Sequence, residues 1–243
     1  MIHLNIKRRI SFFCKVNWIK TIYFNFKKFP FNIAIQLPVY FYGKVNFQNI
    51  SGEISIQSTI QRGMIGFGQP YEMTTREAGT AELVLLGKIE FLGHVQFGKD
   101  YFIYVKENAL LKMGNMSSLA SKGKIICTNS IVFGDYARIG SESQVIDTNF
   151  HQMIDVVSQQ KLPMSAPIVL GNYNFISNRV TLLSKTKLPN FCTVASNSVC
   201  AKDYTFLDEN SLIGGVPAKL LKSNISRDWN GEKETMDLWL KVK

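Results

Sequence analysis

The chain has 243 residues, 46% of them hydrophobic and 19% charged, with a net charge of +10. That composition excludes a disordered chain, and the length suffices for one large domain or two small ones. Seventeen glycines, seven prolines and many Val, Ile, Phe and Tyr favour short strands joined by turns over long helices.

The charge is concentrated at the start. Lys7, Arg8, Arg9, Lys15, Lys20, Lys27, Lys28 and Lys44 all precede the first acidic residue, Glu53. Residues 1–45 therefore read as a basic, aromatic N-terminal segment. Three readings of it stay open: a solvated basic edge whose aromatics turn to the core, peripheral contact with an anionic membrane, and contact with nucleic acid. No nucleic-acid motif is present, so no such partner is expected. Ile10 to Phe26 resembles an anchor, but Lys15 and Lys20 interrupt it and no uncharged run reaches the roughly 18 residues a span needs. Neither export nor a transmembrane helix is expected. Cys14, Cys127, Cys192 and Cys200 show no C-x-x-C spacing, which argues against a disulfide scaffold and for a reducing cytoplasm.

Residues 46–223 carry a period of six. Leu170, Ile176, Leu182, Leu188, Val194 and Cys200 recur at that spacing, and Asn174, Val180, Thr186, Cys192 and Ser198 follow four places after each. A helix rotates by about 240° in six residues and scatters such positions, whereas six is a multiple of the strand period. Three sixes make one triangular turn of a parallel β-helix, so the fold class is all-β, a solenoid of stacked coils. The phrases "FGKDYFI" from Phe97, "MGNMSSL" from Met113, "FGDYARI" from Phe133 and "LGNYNFI" from Leu170 read as copies, with bulges in the irregular steps between the first three. The sixes that start at Phe133 complete a turn at Phe150, and from there to Leu170 the pattern breaks. A loop over about residues 151–167 is expected, with His151 at its base. Gly214 and Gly215 then make a tight turn, Pro217 ends strand pairing, and Ala218 to Lys222 start a helix; residues 224–243 form a C-terminal helical tail.

The repeats, the D-x-x-F-H phrase ending at His151 and the terminal "GGVPAKLL" together resemble the hexapeptide-repeat acyltransferases, and among them the sugar O-acetyltransferases of bacterial capsule and polysaccharide biosynthesis. The resemblance is strongest from about Lys124 to Ser223. It implies a left-handed coil, an exception to the right-handed rule for parallel crossovers. It also implies a homotrimer with acetyl-CoA in a groove between neighbouring solenoids, no metal, and a sugar or lipid-linked saccharide as acceptor, reached at the inner face of the membrane.

A sugar hydroxyl needs a base to take its proton as it attacks a thioester, and the resemblance gives that role to His151. Asp147 or Asp155, four residues to either side, would orient the imidazole; Asp147 is favoured because it sits on the regular turn. The segments matching the family's cofactor phrases contain Phe175, Asn178 and Ser196. Asn178 and Ser196 are 18 positions apart, so their amides should stack as donors. Lys202 and Lys219 match lysines near the phosphates of coenzyme A. The sequence departs from the family at Phe175, where a Trp is usual, and at Ser177, Lys185 and Asn197, where Gly is usual. Two alternatives remain: an amino-sugar N-acetyltransferase and a non-catalytic β-solenoid used for binding. A zinc hydratase version of the fold is disfavoured because His3, His94 and His151 are dispersed.

Overall fold

The computed structural model describes residues 13–69 and 79–240. Its strands form three sheets of nine, seven and five strands, and within the coils every pairing between them is parallel. The chain visits the first, second and third sheet in rotation, so each circuit adds one strand to each face of a triangular prism. This is the solenoid that the period of six predicts. In its most regular part Phe175 pairs with Thr193 and Thr181 with Val199, 18 positions on in both cases.

The six-residue pattern forms strands because its apolar members all point inward. Leu170, Ile176, Leu182, Leu188, Val194 and Cys200 are buried, as are the smaller Asn174, Val180, Thr186, Cys192 and Ser198. Along the first sheet the inward positions align in register as Phe41, Phe67, Phe97, Leu119, Ile139, Ile176, Val194 and Ile213. The three phenylalanines stack at 5.0 and 4.5 Å. Each such ring or aliphatic group, fully buried, contributes about 1.5–3 kcal/mol.

The corners need left-handed backbone. Tyr173, Arg179, Lys185, Phe191 and Asn197 have φ of 55°, 58°, 73°, 55° and 58°, one every six residues. This is costly for side-chain-bearing residues. Four of these amides offset it by donating to a carbonyl of the coil below: Tyr173 to Asp135, Arg179 to Ser141, Phe191 to Asn172 and Asn197 to Asn178. The glycine of the repeated phrase serves close approach, since a Cβ on Gly134 would lie 2.5 Å from the carbonyl carbon of Gly171.

One phrase belongs to another face. Met113, Phe133 and Leu170 stack in the third sheet, but Phe97 lies in the first. The step from Phe97 to Met113 is thus less than a full turn, and the true upstream circuits join Val95 to Ser117 and Ser118 to Arg138. All three sides open with similar apolar-Gly corners, which a local phrase does not distinguish.

Both ends of the solenoid are closed, the C-terminal one otherwise than expected. At the N-terminal end, helix α1 (Trp18–Lys28), followed by the short α2 (Phe31–Ala34), lies on the first strand, Val39–Phe41, so the solenoid begins before residue 45. Phe24 is fully buried and packs edge-on against Phe41 at 4.8 Å. The edge strand's polar groups are met by side chains: Asn25 donates to the Val39 carbonyl at 2.7 Å and accepts its N–H at 3.2 Å, while the Thr21 hydroxyl accepts the Phe41 N–H at 3.0 Å. An exposed sheet edge is thereby removed. At the other end Ala218–Lys222 is a strand, not the start of a helix. It turns back at Gly215 and pairs antiparallel with Leu212–Gly215, covering the last parallel strand of the first sheet. The hairpin satisfies backbone groups that a helix at this position would leave open. Within the C-terminal segment Trp229–Leu240 forms helix α3.

Candidate functional site

Three edges of the prism carry different chemistry, and side-chain caps define them. Along the edge between the third and first sheets, Asn115, Asp135, Asn172 and Asn190 each accept, through a side-chain oxygen, the amide of the coil below, at 2.7–3.0 Å. The left-handed residues of this edge stack outside the coil: Tyr136 on Tyr173 at 4.9 Å and Tyr173 on Phe191 at 5.0 Å. Trp229 of α3 meets Tyr173 edge-on at 5.5 Å, and Arg227 lies between the rings of Phe175 and Trp229, 5.1 and 5.0 Å from their centres. Phe175, expected to line the cofactor site, is therefore half-buried beneath the chain's own C-terminal segment.

The edge between the second and third sheets carries the loop at residues 147–167. It is an antiparallel arm, bridged at Thr148 with Ser165 and at Ile154 with Lys161. Asp155 makes its tip, accepting the amides of Val157 and Ser158, both at 2.9 Å. These bonds hold its carboxyl below the usual carboxylate range. His151 stands exposed near the arm's base. Asp147 is fully buried at the corner from which the arm leaves, with one oxygen accepting Thr128 N–H at 2.8 Å and Thr128 Oγ1 at 2.9 Å, the other Asn129 N–H at 2.8 Å. Neither Asp147 nor Asp155 makes a described hydrogen bond to His151. Further along this edge lies exposed Lys202, its ammonium 5.2 Å from the centre of the Tyr204 ring.

The edge between the first and second sheets holds Asn178 and Ser196, both exposed, on successive coils. Their stacking is direct, since Asn197 N–H donates to the Asn178 carbonyl at 3.2 Å. In lower coils the amides of this edge are capped: Ser121 Oγ accepts Lys99 N–H at 3.1 Å and Asn178 Oδ1 accepts Ser141 N–H at 3.0 Å. Above Ser141 the caps stop. Among the described residues the N–H groups of Asn178 and Ser196 have no acceptor, although those of Ser177, Arg179, Ala195 and Asn197 all do. The cause is local. Asn178 reaches across Gly140, where a Cβ would lie 2.4 Å from its Oδ1. One coil higher those two places are taken by Ser177 and Ser196, so a Cβ stands where Gly140 leaves the path open. Lys219 adjoins this edge through the pairing of its strand with Gly214.

The structure thus brings Asn178, Ser196 and Lys219 to one edge and His151 and Lys202 to another. A six-residue side, roughly 15–20 Å, separates the two edges within one chain. The uncapped amides were legible only as a spacing; the caps that isolate them were not expected. Among the described residues no group of three or more His, Cys, Asp or Glu is placed to hold a metal ion.

No family model matches this sequence, and no curated protein does. Among solved structures the chain is similar to the polySia-specific acetyltransferase NeuO, with 13% identity over 78% of each chain and a TM-score of 0.47. It is similar to the N-acyltransferase AntD from Bacillus cereus, with 15% identity over 83% of this chain and 87% of that one and a TM-score of 0.49. It is also similar to a hexapeptide-repeat acetyltransferase from Vibrio cholerae solved with acetyl coenzyme A, with 20% identity over 51% of this chain and 64% of that one and a TM-score of 0.43.

Proposed function

We propose that this chain is an acyltransferase that moves an acetyl group from acetyl-CoA to a sugar hydroxyl of a bacterial surface polysaccharide or its lipid-linked precursor. The observation that carries the reading is the pair of uncapped amides at Asn178 and Ser196, one coil apart on an edge whose lower amides are capped. Two parallel N–H donors at one coil's spacing suit the carbonyls of an extended thioester arm and the oxyanion that forms when its carbonyl is attacked. Lys219 on the same edge, and Lys202 on the other, supply cations for the phosphates of coenzyme A.

His151 is the base in this reading. It takes the proton of the acceptor hydroxyl as the oxygen attacks the thioester carbon. The tetrahedral intermediate collapses with cleavage of the C–S bond, and the imidazolium returns the proton to the leaving thiolate. Base and donors lie on different edges of one solenoid, so a working site needs the His151 edge of one copy against the Asn178 edge of a second. Such a head-to-tail contact closes into a ring, and a homotrimer is the smallest one. The arm fits this role, since Phe150, Met153, Ile154, Val156, Val157, Leu162 and Met164 are all exposed on it. Asp147 acts on this reading by fixing the corner that carries the arm, and Phe175 by seating Arg227 of the C-terminal segment. The free cysteines suit a reducing cytoplasm, where acetyl-CoA is at hand.

The test is release of coenzyme A thiol from acetyl-CoA with a panel of saccharide acceptors, for the wild type and His151→Ala. The variant should bind coenzyme A as the wild type does and transfer about 10²–10⁴-fold more slowly. The product should be an ester that mild alkali removes; an alkali-stable product identifies an amide and an amino-sugar acceptor. Wild-type rates in His151→Ala would refute the assignment of the base.

A further inference from the structure

The N-terminal end of the solenoid carries a surface that the transfer reading does not use. Helix α1 buries one face and turns an apolar one to solvent. Phe24, with Thr21 and Asn25, plugs the solenoid, while Ile19, Ile22, Tyr23 and Phe26 recur at i, i+3, i+4 and i+7 on the side turned to solvent. Ile19 is 82% exposed, and Phe31, 72% exposed, extends the ridge through an edge-on contact with Phe26 at 6.0 Å. A ridge of this kind on a surface already satisfied on its other side marks an interaction site.

Beside the ridge runs a groove of about 480 Å³ between α1 and Val45–Asn49, lined by Lys20, Tyr23, Lys27, Phe47 and the run Gln48 to Ser51. Lys20 lies 4.5 Å from the centre of the Phe47 ring, and no carboxylate lines the groove. Glu82, the neighbouring acid, is held by Gln48 at 2.7 Å. Lys28, at the helix end, is directed inward and donates to the Gly52 carbonyl; burial, and then the charge of Lys27, hold its ammonium below its ordinary value. The lysines of α1 left to the groove are therefore Lys20 and Lys27, beside the apolar ridge.

We infer that this end of the solenoid docks on an anionic lipid bilayer, with Ile19, Ile22, Phe26 and Phe31 entering the interface and the groove at Lys20 and Lys27 receiving a lipid phosphate. A soluble polyanion would satisfy the lysines and leave the ridge in water, whereas an anionic bilayer meets both with one partner. Among the described residues no helix is long and apolar enough to cross a membrane. The inference is independent of the acyl-transfer reading. It places the protein where a lipid-linked saccharide is found, whatever is done to it.

The experiment is sedimentation of the full chain with vesicles of phosphatidylcholine alone and mixed with phosphatidylglycerol, at low and high salt, with heparin as the soluble polyanion. The wild type should bind the anionic vesicles and lose much of that binding at high salt. Lys20→Glu/Lys27→Glu should weaken it by roughly tenfold or more. Ile19→Glu/Phe26→Glu should weaken it comparably at low salt, with circular dichroism and coenzyme A affinity unchanged. No binding of the wild type to anionic vesicles overturns the inference. So does vesicle binding that survives Ile19→Glu/Phe26→Glu while heparin binds as tightly, since the surface then serves a polyanion alone. Loss of coenzyme A binding in the wild type would refute the transfer reading and leave the lipid result standing.

Discussion

If the uncapped amides of Asn178 and Ser196 receive the ligand, capping one of them should stop it without harming the fold. The structure supplies the design. Asn178 Oδ1 caps Ser141 N–H at 3.0 Å, and does so across Gly140, whose missing Cβ leaves the path open. The corresponding pair one coil higher is Ser177 and Ser196. Ser177→Gly/Ser196→Asn rebuilds the same cap above Asn178. One added hydrogen bond contributes about 0.5–1.5 kcal/mol, partly offset by about 0.5–1 kcal/mol for the extra glycine, so the thermal midpoint should move little. The lost donor costs the reaction far more: about 10²–10³-fold in turnover if it holds the oxyanion, and about tenfold in affinity for acetyl-CoA if it holds a ground-state carbonyl. Thermal denaturation, calorimetric titration with coenzyme A and thiol release separate these outcomes. A folded double variant with wild-type affinity and turnover refutes the role of the amide edge.

The same geometry sets two further expectations. Asp147→Ala removes a buried carboxylate that holds two amides and a hydroxyl at 2.8–2.9 Å, and should cost about 3–5 kcal/mol, a fall of roughly 10 °C in Tm at fixed protein concentration; Asp147→Asn with an unchanged Tm and abolished transfer would return the residue to the imidazole. Burial pushes the thiols of Cys192 and Cys200 up to about 12 and that of Cys127 up as well, so at mild alkaline pH only exposed Cys14 should react rapidly with a disulfide reagent, and all four after denaturation. A raised thiol value in the folded state means stability is complete below the ordinary thiol value, about 8.5, and declines as pH climbs toward 12, which chemical denaturation at stepped pH measures.

The coil was legible because its period is enforced by burial: every sixth residue from Leu170 to Cys200 lines one interior, and a polar group there would break the stack. What period does not encode is which face a phrase belongs to, and so Phe97 was aligned with the wrong sheet. The sequence "AKLLK" favours a helix by propensity, yet the open sheet edge beside Gly214 and the turn at Gly215 made it a strand; tertiary pairing outweighed local preference. Thr21 and Asn25 were not legible, because a side chain capping an edge strand fourteen or twenty residues away leaves no local trace. The candidate site divides in the same manner. His151 and the 18-residue spacing of Asn178 and Ser196 were visible, whereas the bonds that engage Asp147 depend on the turn at Thr128 and Asn129, a coil earlier.

The arm offers the sharpest test of a site shared between copies. Val156 and Val157, near its tip, are 76% and 92% exposed, so a charge there touches nothing within the chain. A monomer should accept Val156→Glu/Val157→Glu with its Tm nearly unchanged, since surface substitutions away from packed features usually cost under about 0.5 kcal/mol. In an assembly where the tip lies against a second solenoid, two buried carboxylates without partners are costly enough to part the subunits. Light scattering should then give the mass of one chain for the variant and three for the wild type. Transfer should vanish in the variant although His151, Asn178 and Ser196 are all intact, because the His151 edge and the amide edge stand a full side apart in a single copy. An active monomeric variant would show that one chain brings base and donors together by itself, and the division of the site between two edges would fail.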